Sequence, residues 1–162
     1  MQAHKMSLNE FEDIDFKLIA IYANIEAYKM AYLLNKHFDL KLKRHRFDVD
    51  FTENNIQAMY ALFTYKDQKN YRDYSLVSNK FKGESRQILK AGSLFIEEEI
   101  RPLLISLIPQ YKKVDFFLKI EENIEDQQVH KMVGIISNIP KIQAAYKIEV
   151  NQLKSKQNLI FE

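Results

Sequence analysis

The chain has 162 residues, 46% of them hydrophobic, a formal net charge of +2 and no cysteine. That length suits one domain with a substantial core. The missing cysteines exclude disulfides, thiolate metal sites and a cysteine nucleophile, and so small a net charge is a poor ground for nucleic-acid binding.

Residues 1–13 are polar and read as a flexible N-terminal tail, leaving residues 14–162 as a single domain. The first residues lack the apolar core of a secretory signal. No apolar run approaches the ~18 residues that span a bilayer. The expected location is the cytoplasm, with no membrane contact. Residues 15–23 are apolar on both alternating sets: Phe16, Leu18, Ala20 and Tyr22 on one, Ile19 and Ile21 on the other. That pattern predicts a central strand buried on both faces. Asn24 is the expected cap of a helix over 25–38, where Ala27, Met30, Ala31, Leu34 and Phe38 form one apolar stripe.

Residues 40–51 alternate with a slip of phase between Leu42 and Phe47, which a bulge near residues 44–46 would reconcile. Residues 59–66 and 71–78 are expected as strands around the turn Asp67-Gln68-Lys69-Asn70. The polar segment 80–92 is expected as a mobile loop, and 93–100 fits either strand or helix. A strand is expected over 114–121, with Val114, Phe116, Leu118 and Ile120 facing inward. A helix capped by Asn123 follows to about residue 138, then a stop at Pro140 and a last strand over 144–150.

Residues 15–26 and 115–125 are alike. Each runs from Asp-Phe through an apolar strand to Asn-Ile-Glu at a helix start. Good helix-start chemistry alone can produce that likeness. Two strand–helix–strand units imply an α+β fold, a mainly antiparallel sheet with two helices on one face. The expected form is ferredoxin-like with an inserted β-hairpin.

The second of these units is preceded by Ile108-Pro109-Gln110-Tyr111-Lys112-Lys113-Val114-Asp115-Phe116. This stretch resembles the signature of the IPExxxVDY family, a group of small uncharacterised bacterial proteins. Ile108, Pro109, Val114 and Asp115 match. Gln110 stands for the acidic residue and Phe116 for the tyrosine. The resemblance implies a single-domain protein with no activity, cofactor or catalytic residue to carry over.

Residue chemistry elsewhere is sparse. The four histidines (His4, His37, His45, His130) lack metal-ligand spacing. Three glycines exclude the nucleotide-loop and nucleophile-elbow motifs. Glu97-Glu98-Glu99 beside Arg101 reads as a solvated segment paired locally. The basic run Lys41, Lys43, Arg44, His45 and Arg46, with Phe47 and Tyr60, Tyr65, Tyr71 and Tyr74, has the ingredients of a single-stranded nucleic-acid surface. It reads better as a charged edge strand. Asp115 has a structural reading, tying down backbone N–H groups.

The expected function is therefore a non-enzymatic interaction or scaffold protein that self-associates as a homodimer, without metal or cofactor. Its premise is that two helices cover only one face of the sheet, so that a partner must cover the other if the inserted hairpin does not. The alternative is a small-ligand-binding protein or an unrecognised enzyme, with a site near the 109–115 turn using Asp115 and Tyr28.

Overall fold

The computed structural model describes residues 16–89, 97–122 and 124–161. Strand β1 (Phe16–Tyr22) leads to helix α1 (Ala27–Phe38) and then β2 (Lys43–Arg44), β3 (Val49–Glu53), β4 (Ile56–Tyr60), β5 (Leu62–Asp67) and β6 (Arg72–Ser78). Next come β7 (Lys80–Leu89), β8 (Glu97–Ser106), a 3-10 turn (Pro109–Tyr111), β9 (Phe116–Glu121), α2 (Asp126–Ser137) and β10 (Ala144–Ile148). Two short 3-10 turns close the chain, Val150–Gln152 and Lys156–Leu159. The expected tail over 1–13 and the expected cap Asn123 lie outside the described residues.

Six strands form one sheet in the order β10-β1-β9-β6-β5-β2, and every ladder in it is antiparallel. The mixed α+β architecture with two helices is thus present. β1 lies between β9 and β10, which is why both of its alternating sets are apolar. Ile19 and Ile21 join Leu76, Leu118 and Ile120 beneath the two helices, against Met30, Ala31 and Leu34 of α1 and Val129, Met132 and Ile136 of α2. At the start of α2, Asp126 binds Lys17 of β1 and Lys147 of β10, each at 3.0 Å. Hydrogen bonds from these two lysines hold its carboxyl below the usual carboxylate range.

The other set faces a second core. Phe16, Leu18 and Ala20 of β1, Val77 of β6 and Phe117 of β9 pack against Ala58 and Tyr60 of β4, Ile105 of β8, Ile108, Val114, Leu153 and Leu159. Phe117 is fully buried there. The chain therefore covers the second sheet face with its own hairpins, the 3-10 turn and its last residues. The condition under which a partner would have to cover that face is therefore not met. Tyr60 lies in this core with its hydroxyl donating to the Ile105 carbonyl at 3.3 Å, and burial pushes its phenol up to about 12.

Four expectations need correction. The segment read as a mobile loop over 80–92 is, as far as residue 89, strand β7. Residues 40–51 are not one bulged strand: β2 pairs with β5 in the large sheet, whereas β3 pairs with β4 in a separate hairpin. The strand expected over 59–66 breaks at Ala61, where the chain passes from one sheet to the other. The helix caps are Glu26 and Glu125, two residues beyond the expected asparagines, and both accept the first helical N–H groups through backbone carbonyls rather than side chains. These glutamates occupy equivalent places in the repeated Asn-Ile-Glu segments. The charged-edge reading of the basic run fits β2, a two-residue strand of Lys43 and Arg44 at one edge of the sheet.

Candidate functional site

The signature stretch folds as a clamp around one buried side chain that the sequence did not single out. Asn79 joins β6 to β7 and is completely buried. Its amide nitrogen donates to the carbonyls of Tyr111 at 2.8 Å and Val114 at 2.9 Å. Its amide oxygen accepts from the Ile108 N–H at 2.9 Å. Its own backbone N–H donates to the Asp115 carbonyl, and its carbonyl accepts from the Leu107 N–H. One asparagine thus satisfies both ends of the turn that Pro109 starts, as a buried amide must.

Asp115 ties this clamp to the sheet. Its carboxylate accepts the Ala23 N–H at 2.9 Å and the Lys80 ammonium at 2.6 Å. Lys80 also reaches the Lys113 carbonyl at 3.2 Å. The backbone N–H that Asp115 holds is 92 positions away, not one near the turn as the sequence reading expects. Ile108, Val114 and Phe116 are buried, and Pro109 is exposed at the first position of the 3-10 turn. Gln110 binds the C-terminal residues through both ends of its amide. Its side-chain nitrogen donates to the Gln152 carbonyl at 3.2 Å, and its oxygen accepts the Lys154 N–H at 2.9 Å. A carboxylate can make only the second bond. Gln110→Glu is expected to destabilise the fold by about 1 kcal/mol, read as a lower urea midpoint; an unchanged midpoint would show that the C-terminal strap does not depend on this amide.

The clamp sets the exit of a long two-stranded ribbon. β7 and β8 pair over ten rungs, from Lys80↔Ser106 to Leu89↔Glu97, roughly 30 Å of strand. They form a sheet of their own. The inner face near the base is anchored: Ile105 is buried, Leu103 and Phe81 pack on the second core, and Phe81 meets Tyr60 edge-on. Gly83 belongs to that face because the Phe81 ring lies across it; a Cβ there would come within 2.8 Å of the ring.

The outer face is divided by strand. Lys82, Glu84 and Arg86 of β7 are exposed, and so are Ile100, Pro102 and Leu104 of β8. Ile100 is 53% and Leu104 54% exposed. Over these three rungs, Lys82↔Leu104 to Arg86↔Ile100, the β7 half of the face is charged and the β8 half apolar.

The remaining candidates are dispersed. Tyr28 is exposed on α1, beside Lys29, and among the described residues no hydrogen bond joins it to the 109–115 turn. Glu99 pairs with Arg101 at 2.9 Å, as expected of a solvated segment. His45 and His130 contact nearby backbone carbonyls, of Phe47 and Asp126. Among the described residues no three metal-ligating side chains converge, and no helix is long and apolar enough to cross a membrane.

The basic run and the tyrosines do not make one surface. Tyr60 is buried in the second core, and Tyr65 and Tyr74 stack on each other at 6.2 Å on the helix side. They border a cleft of about 590 Å³ with Lys41, Lys66, Lys69 and Arg72. Arg44 lies over Phe63 and Arg46 over Phe47. Tyr60 and Tyr74, buried in packing, are not free to stack on bases, whereas Tyr71 and Phe47 are exposed.

Comparison with protein-family models, with curated proteins and with solved structures finds no match.

Proposed function

We propose that this chain is a non-enzymatic interaction protein that self-associates through the outer face of the β7–β8 ribbon. The observation that carries the reading is the division of that face into a charged strand and an apolar strand. A twofold axis along β8 would bring Ile100, Pro102 and Leu104 of two copies together. Lys82, Glu84 and Arg86 would then lie at the rim, the usual anatomy of an interface. A two-stranded ribbon is marginal alone in water, so its distal half gains most from a second copy.

The same reading includes membership of the IPExxxVDY family. It is supported by four matched positions whose side chains or backbone build the clamp. It also includes a ferredoxin-like frame; the hairpin expected over residues 59–78 lies partly within its sheet, as β5 and β6. The order β10-β1-β9-β6, with one helix after β1 and one after β9, supports that frame. The alternative small-molecule site at the 109–115 turn has little to offer a ligand, because the polar groups of the turn already pair with Asn79, Lys80 and Ala23.

Light scattering after gel filtration at ~10 μM is expected to give a dimer, and Ile100→Glu with Leu104→Glu to weaken it by roughly 100-fold or more. The helical circular dichroism should not change. A wild-type monomer at that concentration, or a double variant that dimerises as well as wild type, overturns the reading.

A further inference from the structure

The second face of the sheet changes character along its strands. One row reads Leu62, Val77, Phe117, Ala20 across β5, β6, β9 and β1. The next on that face reads Thr64, Ser75, Lys119, Leu18, and the one beyond it Lys66, Asp73, Glu121, Phe16. Apolar packing gives way to a polar end within two rungs. A cleft of about 270 Å³ opens there, walled on one side by Phe161 and with His45 at its border.

Lys119 is 3% exposed on its floor. Its ammonium is 2.6 Å from Glu121 and lies 5.0 Å from the Phe16 ring and 5.1 Å from the Phe161 ring. Burying an ammonium is expensive, and apolar residues of similar volume usually do as well or better for stability. Phe117 fills the equivalent place one row away. An ammonium also has three donors, and Glu121 uses one. Beside it sit two hydroxyl residues, Ser75 and Thr64, and Ser75 is itself buried. Asp73 and Glu121 face each other directly across two strands; Glu121 is held by Lys119, whereas Asp73 has only the long 3.7 Å contact to the exposed Lys66 ammonium, so a ligand cation can compete for it.

We propose that this cleft binds a free α-amino acid. The ligand carboxylate takes the open donors of Lys119 with the hydroxyls of Ser75 and Thr64, its ammonium lies between Asp73 and Glu121, and its side chain rests on Phe161. The short separation of cation and anion in the cleft matches a zwitterion whose two charges are one carbon apart. The site shares no residue with the ribbon, so it stands or falls independently of self-association.

The test uses the full chain with a panel of L-amino acids by thermal shift, followed by calorimetry. L-leucine is compared with 4-methylpentanoate, which lacks the ammonium, and 3-methylbutylamine, which lacks the carboxylate. At one hundred times its dissociation constant, at least one L-amino acid is expected to raise Tm by roughly 5–10 °C. Each charge-deleted analogue of leucine should show no shift. Lys119→Met should abolish binding. Ser75→Ala and Thr64→Val, which leave the buried lysine in place, should each weaken it about tenfold, and they carry the test where Lys119→Met does not fold. No shift with any L-amino acid, or calorimetric affinity unchanged in the Ser75 and Thr64 variants, overturns the proposal and leaves Lys119 a structural ion pair.

Discussion

Replacing Asn79 with alanine is expected to destabilise the protein by about 4 kcal/mol, and to lower Tm by roughly 10 °C. The substitution removes one small side chain but orphans three buried groups: the Ile108 N–H and the carbonyls of Tyr111 and Val114. Each such group carries a desolvation penalty of about 1–3 kcal/mol when left unpaired. Asn79→Asp gives a sharper version of the same test. Its second carboxylate oxygen would face two carbonyl oxygens in a buried site, so the folded-state pKa rises above the unfolded value of about 3.9. A raised pKa places the relief on the acid side: relative to wild type, the penalty is smallest below about pH 4 and grows as pH climbs through the folded value. Urea denaturation at several pH values reads this directly. A Tm loss of only a degree or two for Asn79→Ala would mean that water replaces the amide, and that the clamp does not depend on it.

Phe117→Ala is expected to destabilise by about 3–5 kcal/mol, and Leu118→Ala, its neighbour on the opposite sheet face, by a similar amount. Phe117 is buried between the sheet and the turn, with its ring edge-on to Tyr111 at 6.4 Å. Leu118 is buried beneath the helices. Equal sensitivity on the two faces is the signature of two closed cores. Were the second face open to solvent in the absence of a partner, Phe117→Ala would cost under about 1 kcal/mol. Chemical denaturation of the two variants at a concentration below any dimerisation separates these cases.

The elements legible in the sequence are those buried by the large sheet. β1, α1, β9, α2 and β10 all fall within about three residues of where periodicity places them, because each packs its stripe against a continuous core. The ribbon was not legible for the opposite reason. Lys-Phe-Lys-Gly-Glu-Ser-Arg has one large apolar residue in seven, since one face is open and the other is covered only near the base. Its pairing is dictated by β8, not by its own pattern. The split of residues 40–51 between two sheets was hidden because a change of sheet and a bulge both appear as a slip of phase. The partners of Asp115 are not legible, because Ala23, just after β1, and Lys80, at the start of β7, lie far from it in sequence. Asn79 gave no signal at all: a lone asparagine at a strand junction looks like any other turn residue until the carbonyls that it holds, about thirty residues later, are placed around it. Lys119 is likewise hidden in the apolar run Phe-Phe-Leu-Lys-Ile, because Phe116, Leu118 and Ile120 by themselves make a complete inward set and leave the alternate set looking solvent-facing.

The position of β1 has a consequence for how the protein is made. Its two neighbours in the sheet, β9 and β10, come from the last third of the chain. During synthesis, the segment Phe-Lys-Leu-Ile-Ala-Ile-Tyr emerges first and waits for about a hundred residues before either partner exists. At ribosomal speed that is roughly 5–20 s, far longer than the microseconds in which a local hairpin forms. The most apolar strand of the fold is thus also the one longest without a mate. Its apolar surface stays unpaired through that interval, which is the condition that makes a nascent chain prone to aggregate.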